Sequence, residues 1–328
     1  MLATLILLIA PAVAAPAETF QIVAERPFPD STFNTPPIGF RGISPDGKSV
    51  LSIEYGRLTV RPVGSTAEKE LLPKGSLTGP LGAWVTWSGD AKRIYYLAGR
   101  DKREFNDLWQ VDIASLKKQC VIKNVRGAGA AAKPSPSRDG KRVAFYRGPV
   151  LMLADSDAQN EQVLCQQCTP VYRDLVWSPD NSQILLVPEF QASDTKMRLL
   201  NVASGRARTL TAFDAKFVTS IVWPSWSSGP LLTEMVLQGD RRIQTSQVWQ
   251  LRVPQNGEKD ERVLVTRDPD AVYIRIWGVG SDGYSLVIQK YPPQPTGWDD
   301  FVHFFERFGL PQVYPKGQVT TVLLTLKK

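Results

Sequence analysis

The sequence contains few of the residues on which most catalytic and metal sites depend. Its 328 residues include one histidine, three cysteines and four methionines. A Ser-His-Asp or Cys-His site would have to use His303, which we interpret as a packing or surface residue on a predicted helix. Zinc sites need clusters of Cys and His ligands, and the chain has neither a histidine cluster nor a second Cys-x-x-Cys pair. We therefore expect no metal site and no cofactor.

Several sequence patterns of known enzymes and binding proteins are also missing. No Gly-x-Ser-x-Gly elbow exists to position the nucleophile of an α/β-hydrolase. Residues 278–283 match Gly-x-Gly-x-x-Gly by letter, but residues 284–288 then read as a strand, whereas a dinucleotide site needs a helix there. No basic tract is interleaved with stacking aromatic residues, so we do not expect a nucleic acid partner.

The chain lacks a strong concentration of charge. It has 39 Lys and Arg against 32 Asp and Glu, which gives a net charge of +7. The basic residues are spread along the sequence, for example at Arg100, Lys117 and Arg241. A solvated surface is the simplest interpretation, and an anionic partner or a membrane surface is the alternative.

Long apolar runs are confined to the N-terminus. Residues 2–15 are uncharged and apolar, and they end in the small residues Ala12, Val13 and Ala14. This resembles a secretory signal peptide cleaved after Ala14, although no Lys or Arg precedes the apolar core. No later window is long enough for a transmembrane segment, and no Cys follows the run to carry a lipid anchor. We expect a signal peptide at residues 1–14 and a periplasmic or secreted protein.

One short pattern recurs along the rest of the chain. An apolar strand runs into a turn of the form Ser-Pro-Asp-Gly-Lys and is followed by a second apolar strand. In such a turn Pro sets φ, the Ser and Asp oxygens accept backbone N–H groups, and Gly takes the left-handed position. Four good copies and two degenerate ones, at intervals of 40 to 55 residues, begin at Ser44, Ser88, Ser137, Ser178, Ser227 and Gly278.

The recurring units predict the fold class. Each repeat reads strand, turn, strand, loop, strand, turn, strand, as at residues 83–87, 93–98, 107–112 and 118–123. Four short strands repeated about six times are typical of a propeller, and no segment alternates strands with long helices. We predict an all-β, six-bladed antiparallel β-propeller at residues 38–328. A strand near residues 20–24 and a Pro-rich lead-in within residues 15–37 would precede it, and that strand could complete the last blade.

These units resemble the WD-repeat-like units of TolB-type six-bladed propellers. The resemblance covers about residues 38 to 290 and implies the fold more strongly than a function. We do not expect the additional N-terminal α/β domain of TolB, because residues 15–37 are too few to form it. Similar propellers also precede the catalytic domain of prolyl-oligopeptidase-like peptidases.

The last repeat departs from the pattern. Phe301, Phe304, Phe305 and Phe308 have helical spacing, and Gly309 follows as a stop signal. The sequence therefore predicts a short amphipathic helix inserted in blade six, at residues 298–308. Its apolar face would either pack on the propeller or, if exposed, form a partner surface.

Two of the cysteines lie close together, between the predicted third and fourth blades. In an exported protein we predict a disulfide between Cys165 and Cys168 that clips this loop. A redox role would need a helix after the first cysteine, whereas Thr169, Pro170 and a strand follow it. The third cysteine, Cys120, is predicted at a buried strand position.

In a propeller, the long loops between blades and between the second and third strands share one face. Loops carry function more often than scaffold strands do, so we predict a protein-binding rim there. The leading hypothesis is a non-catalytic scaffold for an envelope or periplasmic protein. The alternative is a hydrolase, peptidase-related or glycan-acting, that uses carboxylates at the channel mouth: Asp101, Asp107, Asp194, Asp240 and Asp299. The predicted partner-binding residues are Arg100, Lys102, Arg103, Arg241, Arg242 and Trp298.

Overall fold

The computed structural model describes residues 21–30, 32, 40–77, 84–98, 105–126, 134–157, 159–168, 172–188, 194–238, 242–254, 259–266, 272–291 and 320–327. Within these residues, six four-stranded antiparallel sheets form the six blades of a propeller. A single turn of 3-10 helix at Ala215–Phe217 joins blades four and five. The predicted all-β, six-bladed architecture is therefore confirmed. The helix predicted at residues 298–308 lies outside the described residues.

The strands of each blade follow one another in the chain, except in blade six. Blade one consists of β2 (Phe40–Ile43), β3 (Ser49–Glu54), β4 (Arg57–Pro62) and β5 (Lys69–Leu72), and blade two of β6 (Val85–Trp87), β7 (Arg93–Ala98), β8 (Phe105–Asp112) and β9 (Lys118–Arg126). Blade three consists of β10 (Ser135–Pro136), β11 (Arg142–Arg147), β12 (Val150–Asp155) and β13 (Gln162–Cys165). Blade four consists of β14 (Tyr172–Trp177), β15 (Gln183–Pro188), β16 (Lys196–Asn201) and β17 (Ala207–Asp214). Blade five consists of β18 (Val218–Val222), β19 (Leu231–Gln238), β20 (Arg242–Arg252) and β21 (Glu261–Thr266), and blade six of β22 (Val272–Val279), β23 (Ser285–Tyr291), β24 (Thr320–Lys327) and β1 (Gln21–Pro27).

The recurring turn has the geometry that its residues predict. In blade four, the Ser178 hydroxyl donates to the Asp180 carboxylate at 2.6 Å and accepts the backbone N–H of Gln183 at 2.9 Å. Asn181 occupies the left-handed position with φ 60°. Ala91 occupies the same position in blade two with φ 58°, a conformation that strains any residue with a Cβ.

Each hydrophobic cluster of the core lies between two neighbouring blades rather than within one. The middle strands are buried on both faces, as in β7, where Ile94 and Tyr95 are fully buried. Strands of this kind read as continuous apolar runs rather than alternating ones, because both faces meet a neighbouring blade. Six clusters therefore alternate with six blades around the ring. The ring has to close for the last of these clusters to form.

The N-terminal strand closes the ring. β1 pairs antiparallel with β24, with Glu25 opposite Leu324, and becomes the outermost strand of blade six. This confirms the prediction that a strand near the N-terminus completes the last blade. Among the described residues, the cluster between blades six and one contains four buried side chains, whereas the other five contain nine to thirteen. The closure therefore depends less on apolar burial than the other junctions do.

A buried ion pair strengthens this junction. Asp30, just after β1, accepts two hydrogen bonds from the guanidinium of Arg61 in blade one, and their side chains are 2 % and 7 % exposed. The same guanidinium donates to the Thr32 hydroxyl at 2.7 Å and to the Ser65 carbonyl at 2.9 Å. Burial by itself would raise the pKa of the Asp30 carboxyl, but the hydrogen bonds and the charge of Arg61 outweigh it and lower that pKa.

The cysteines occupy the positions that the sequence indicates, with one difference. A disulfide joins Cys165, at the end of β13, to Cys168 in the connection to blade four, and both residues are buried. That the exported protein carries this disulfide stays a prediction. Cys120 is a free thiol in β9 and is half-buried rather than buried. It lies on the outermost strand of its blade, where less of the sheet is covered.

Candidate functional site

The two ends of the propeller differ. The turns after the innermost strands, which carry the Ser and Asp residues, lie at one end, which we call the turn face. The connections between blades, and between second and third strands, lie at the other end, the loop face. On the turn face neighbouring blades approach closely: a Cβ on Gly89 of blade two would lie 2.0 Å from the carbonyl oxygen of Arg138 in blade three. Only glycine fits such a contact.

Most of the predicted rim residues fall outside the described part of the chain. This applies to Arg100, Lys102, Arg103, Arg241 and Trp298, and also to His303. Arg242 is described through its backbone: it begins β20 opposite Gln238, in the long hairpin of blade five at the loop face. The predicted partner-binding site therefore stays a prediction.

A polar cavity of about 310 Å³ lies in the central channel. Its walls come from the innermost strands of five blades. The lining residues that matter for its chemistry are Trp84, Thr86, Ser135, Arg173, Asp174 and Arg275.

Arg173 has its charge balanced within the cavity wall. Its guanidinium lies 3.2 Å from the carboxylate of Asp174 and donates a hydrogen bond of 2.6 Å to the carbonyl of Val218 in blade five. The side chain of Arg173 is 11 % exposed, whereas that of Asp174 is 50 % exposed. Arg173 thus ties blade four to blade five and keeps one carboxylate at the edge of the cavity.

Arg275 is held differently. Its guanidinium stacks on the ring of Trp277, 4.8 Å from the ring centre, which is a favourable cation–π arrangement. The backbone N–H of the next residue, Ile276, donates to the Ser220 hydroxyl at 2.7 Å and fixes this part of β22 against blade five. The cation is therefore oriented by an aromatic ring and a rigid strand, and no described carboxylate pairs with it.

A third arginine lies at the turn-face end of the channel. Arg138 extends from the turn of blade three to the carbonyl of Trp223 in blade five, where it donates a hydrogen bond of 2.5 Å. Blade four lies between these two blades, so the side chain passes the inner end of that blade. Burial lowers the pKa of the Arg138 guanidinium, but arginine keeps its proton in proteins. The channel therefore has a half-buried cation near its turn-face end.

These three arginines were not predicted as site residues. Arg173 and Arg275 each lie on an innermost strand, a few residues before the Trp that precedes the turn, and Arg138 takes the place of Pro in the turn. Comparing the repeats position by position would have shown them, because most copies have apolar or small residues there. Their position inside the channel, however, follows from ring closure.

The carboxylates named for the hydrolase alternative are only partly described. Asp107 accepts the backbone N–H of Asn124 at 3.1 Å, and Asp194 pairs with Arg198 at 3.1 Å. A backbone hydrogen bond from Lys196 and contacts with Arg198 outweigh desolvation and lower the pKa of the Asp194 carboxyl. Both carboxylates are thus engaged in local hydrogen bonds and ion pairs. Asp101, Asp240 and Asp299 lie outside the described residues.

One described carboxyl group has a raised pKa. Glu234, on β19, is buried, and this raises the pKa of its carboxyl although Arg262 lies 3.4 Å away. A raised pKa is typical of general acids but is also found in buried carboxyl groups with a structural role. Glu234 is not among the residues that line the channel cavity. Its position therefore favours the structural role.

A second cavity, of about 640 Å³, lies between blades three and four. Its charged wall residue, Arg142, donates to the carbonyl of Asn181 at 3.0 Å and lies over the ring of Trp177. In the described ranges no group of three or more His, Cys, Asp or Glu side chains could hold a metal ion. Within those same ranges no helix is long and apolar enough to cross a membrane.

No protein-family model and no curated protein sequence matches the chain. Among solved structures, the chain is similar to Kuenenia stuttgartiensis hydrazine synthase, with a TM-score of 0.54 and 12% identity over 88% of this chain and 87% of that one. It is also similar to an oligogalacturonate lyase in complex with manganese, with a TM-score of 0.51 and 12% identity over 88% of this chain and 76% of that one. For TolB from Acinetobacter baumannii the TM-score is 0.47, at 12% identity over 87% of this chain.

These similarities concern the fold. TolB from Acinetobacter baumannii is among the structures that resemble this chain. The chain spans 62% of the length of that TolB structure, which is less than two thirds. Because the similar structures have different functions and low sequence identity, none of their activities is transferred to this protein.

Proposed function

We propose that this protein is an exported, non-catalytic β-propeller that binds a protein of the periplasm or cell envelope through its loop face. Residues 1–14 would be its signal peptide, 15–37 its lead-in and 38–328 the propeller. The observation that carries the proposal is the difference between the two ends. The turn face consists of short turns packed against one another, whereas the connections at the loop face lead into the innermost strands, whose channel holds a cavity with oriented arginines.

The physical basis is a rigid ring that presents variable loops. Hydrophobic clusters join the neighbouring blades, so the innermost strands have fixed positions relative to one another. A binding surface on such a scaffold loses little conformational entropy when it meets a partner. The basic residues predicted at the rim, Arg100, Arg103, Arg241 and Arg242, would add electrostatic attraction for an acidic partner surface.

The test is affinity capture from an envelope extract with two matched variants. The first changes the four rim residues Arg100, Arg103, Arg241 and Arg242 to Glu. The control changes the same number of charges on the turn face, where Lys48, Lys92, Lys117 and Lys141 are exposed. We expect a defined partner to bind the wild type and the control, and to lose at least about tenfold in affinity for the rim variant.

Two results would contradict the proposal. Equal loss of binding in both variants would mean that net charge, and not the rim, determines the interaction. Turnover in a peptidase or glycosidase screen that disappears with Asp174→Asn, at the cavity edge, would instead support the hydrolase alternative. Titration with the purified partner separates a binding scaffold from a hydrolase, because a scaffold binds its partner without converting it into a product.

A further inference from the structure

The balance of charge in the channel cavity is unusual for a purely structural site. The cavity is lined by two arginines and one aspartate, and the aspartate pairs with Arg173 at 3.2 Å. Arg275 is left with an aromatic ring and no described carboxylate. Arg138, near the turn-face end, contacts a carbonyl and likewise has no described acidic partner. Among the described residues, three arginines against one aspartate leave an excess of two positive charges around the channel.

A comparison within the protein shows what a structural Arg–Trp stack looks like. Arg262 lies 4.8 Å from the centre of the Trp249 ring, the same distance as Arg275 from Trp277. Arg262 also has the carboxylate of Glu234 at 3.4 Å. Among the described residues, the stack outside the channel has a carboxylate beside its arginine and the stack in the channel has none. The lack of a described carboxylate at Arg275, in the wall of a cavity, is the feature that points to a ligand.

The surroundings of Arg275 suit a small anion. Arg275 is half-buried, and the low dielectric constant of the surrounding protein makes it attract an anion more strongly than a fully exposed arginine does. The cavity of about 310 Å³ lies at the lower end of the range for small-molecule sites. The cavity wall also offers the hydroxyl of Thr86 and the apolar surface of Trp84. Guanidinium groups bind carboxylates through paired hydrogen bonds.

From this geometry we infer that the channel cavity binds a small organic acid, with a carboxylate on the guanidinium of Arg275. This goes beyond binding of a protein at the rim, since it concerns a separate ligand and can be measured without any partner. Phosphate offers the same oxyanion chemistry to arginine, so the experiment has to distinguish binding of a carboxylate from binding of phosphate.

The experiment is calorimetric titration of the protein, expressed from its full sequence, with succinate, citrate and inorganic phosphate at low ionic strength. We expect saturable binding of at least one of the two carboxylates, and weaker binding in high salt because screening reduces the attraction. Arg275→Gln should weaken that binding at least about tenfold, and Arg275→Lys less, because it keeps the charge but loses the paired hydrogen bonds. Arg262→Gln, the matched stack outside the channel, should leave it unchanged.

Several outcomes would overturn the inference. Absence of saturable binding for both carboxylates would do so, and so would binding of phosphate alone. Equal weakening by Arg275→Gln and Arg262→Gln would show a general electrostatic effect. Thermal melts of each variant without ligand check that it is folded. If Arg275→Gln does not fold, Arg275→Lys and Thr86→Val decide the question, since unchanged carboxylate affinity in both contradicts the site.

Discussion

The ion pair between Asp30 and Arg61 provides a direct test of how the ring is closed. Asp30→Ala leaves a buried guanidinium without its carboxylate, at the junction whose hydrophobic cluster is the smallest among the described residues. Removing one partner of a buried pair typically costs about 3–5 kcal/mol. We therefore expect the free energy of unfolding to fall by about this amount. Equilibrium urea denaturation, followed by tryptophan fluorescence, measures the change.

The matched control is an exposed ion pair of the same chemistry. Arg57 contacts Glu70 at 2.7 Å on blade one, with both side chains more than two fifths exposed. Exposed pairs contribute little, because water and salt screen them, so Glu70→Ala should change stability much less than Asp30→Ala. Similar effects of the two substitutions would refute the reasoning that the buried pair holds the ring closed.

The dependence of this effect on pH has a definite sign. The pKa of Asp30 is lower in the folded protein than in the unfolded chain, so the unfolded state binds the proton more readily. The contribution of the pair is therefore complete above the ordinary pKa of an aspartate and is lost as the pH falls through the lowered value. We expect wild type and Asp30→Ala to become more similar in stability in acid, and a constant difference down to the lowest measurable pH would contradict this.

Three further changes test local geometry. Gly89→Ala should destabilise the protein by several kcal/mol in thermal melts, because its Cβ would meet the backbone oxygen of Arg138, and a change below about 1 kcal/mol would contradict the close contact. Ala91→Gly should raise stability by up to about 1 kcal/mol by relieving the left-handed φ, and any loss would contradict the strain. Alkylation without reductant followed by mass spectrometry should leave Cys165 and Cys168 unmodified, and two alkylated thiols would reject the disulfide.

Local physics explains why so much of the fold could be read from the sequence. The turn beginning at Ser178 needs a hydroxyl, a carboxylate and a residue that tolerates positive φ at fixed spacing. Each of these requirements is visible in the sequence as a particular residue type at a particular position. The buried middle strands leave continuous apolar runs such as the one in β15. Repetition then gives the number of blades. Such features depend on neighbours in sequence, so one chain is enough to recognise them.

The candidate site was accessible only through the tertiary structure. Arg173 lies 35 residues after Arg138 and Arg275 lies 102 residues after Arg173, and the closed ring brings all three to one channel. The same holds for Asp30 and Arg61, which no local pattern pairs. The sequence by itself determined the repeated strand and turn units, while closure of the ring decided which charges are buried together. The physical reason is that burial and pairing of charges depend on distances between blades, and these are set by packing rather than by local conformation.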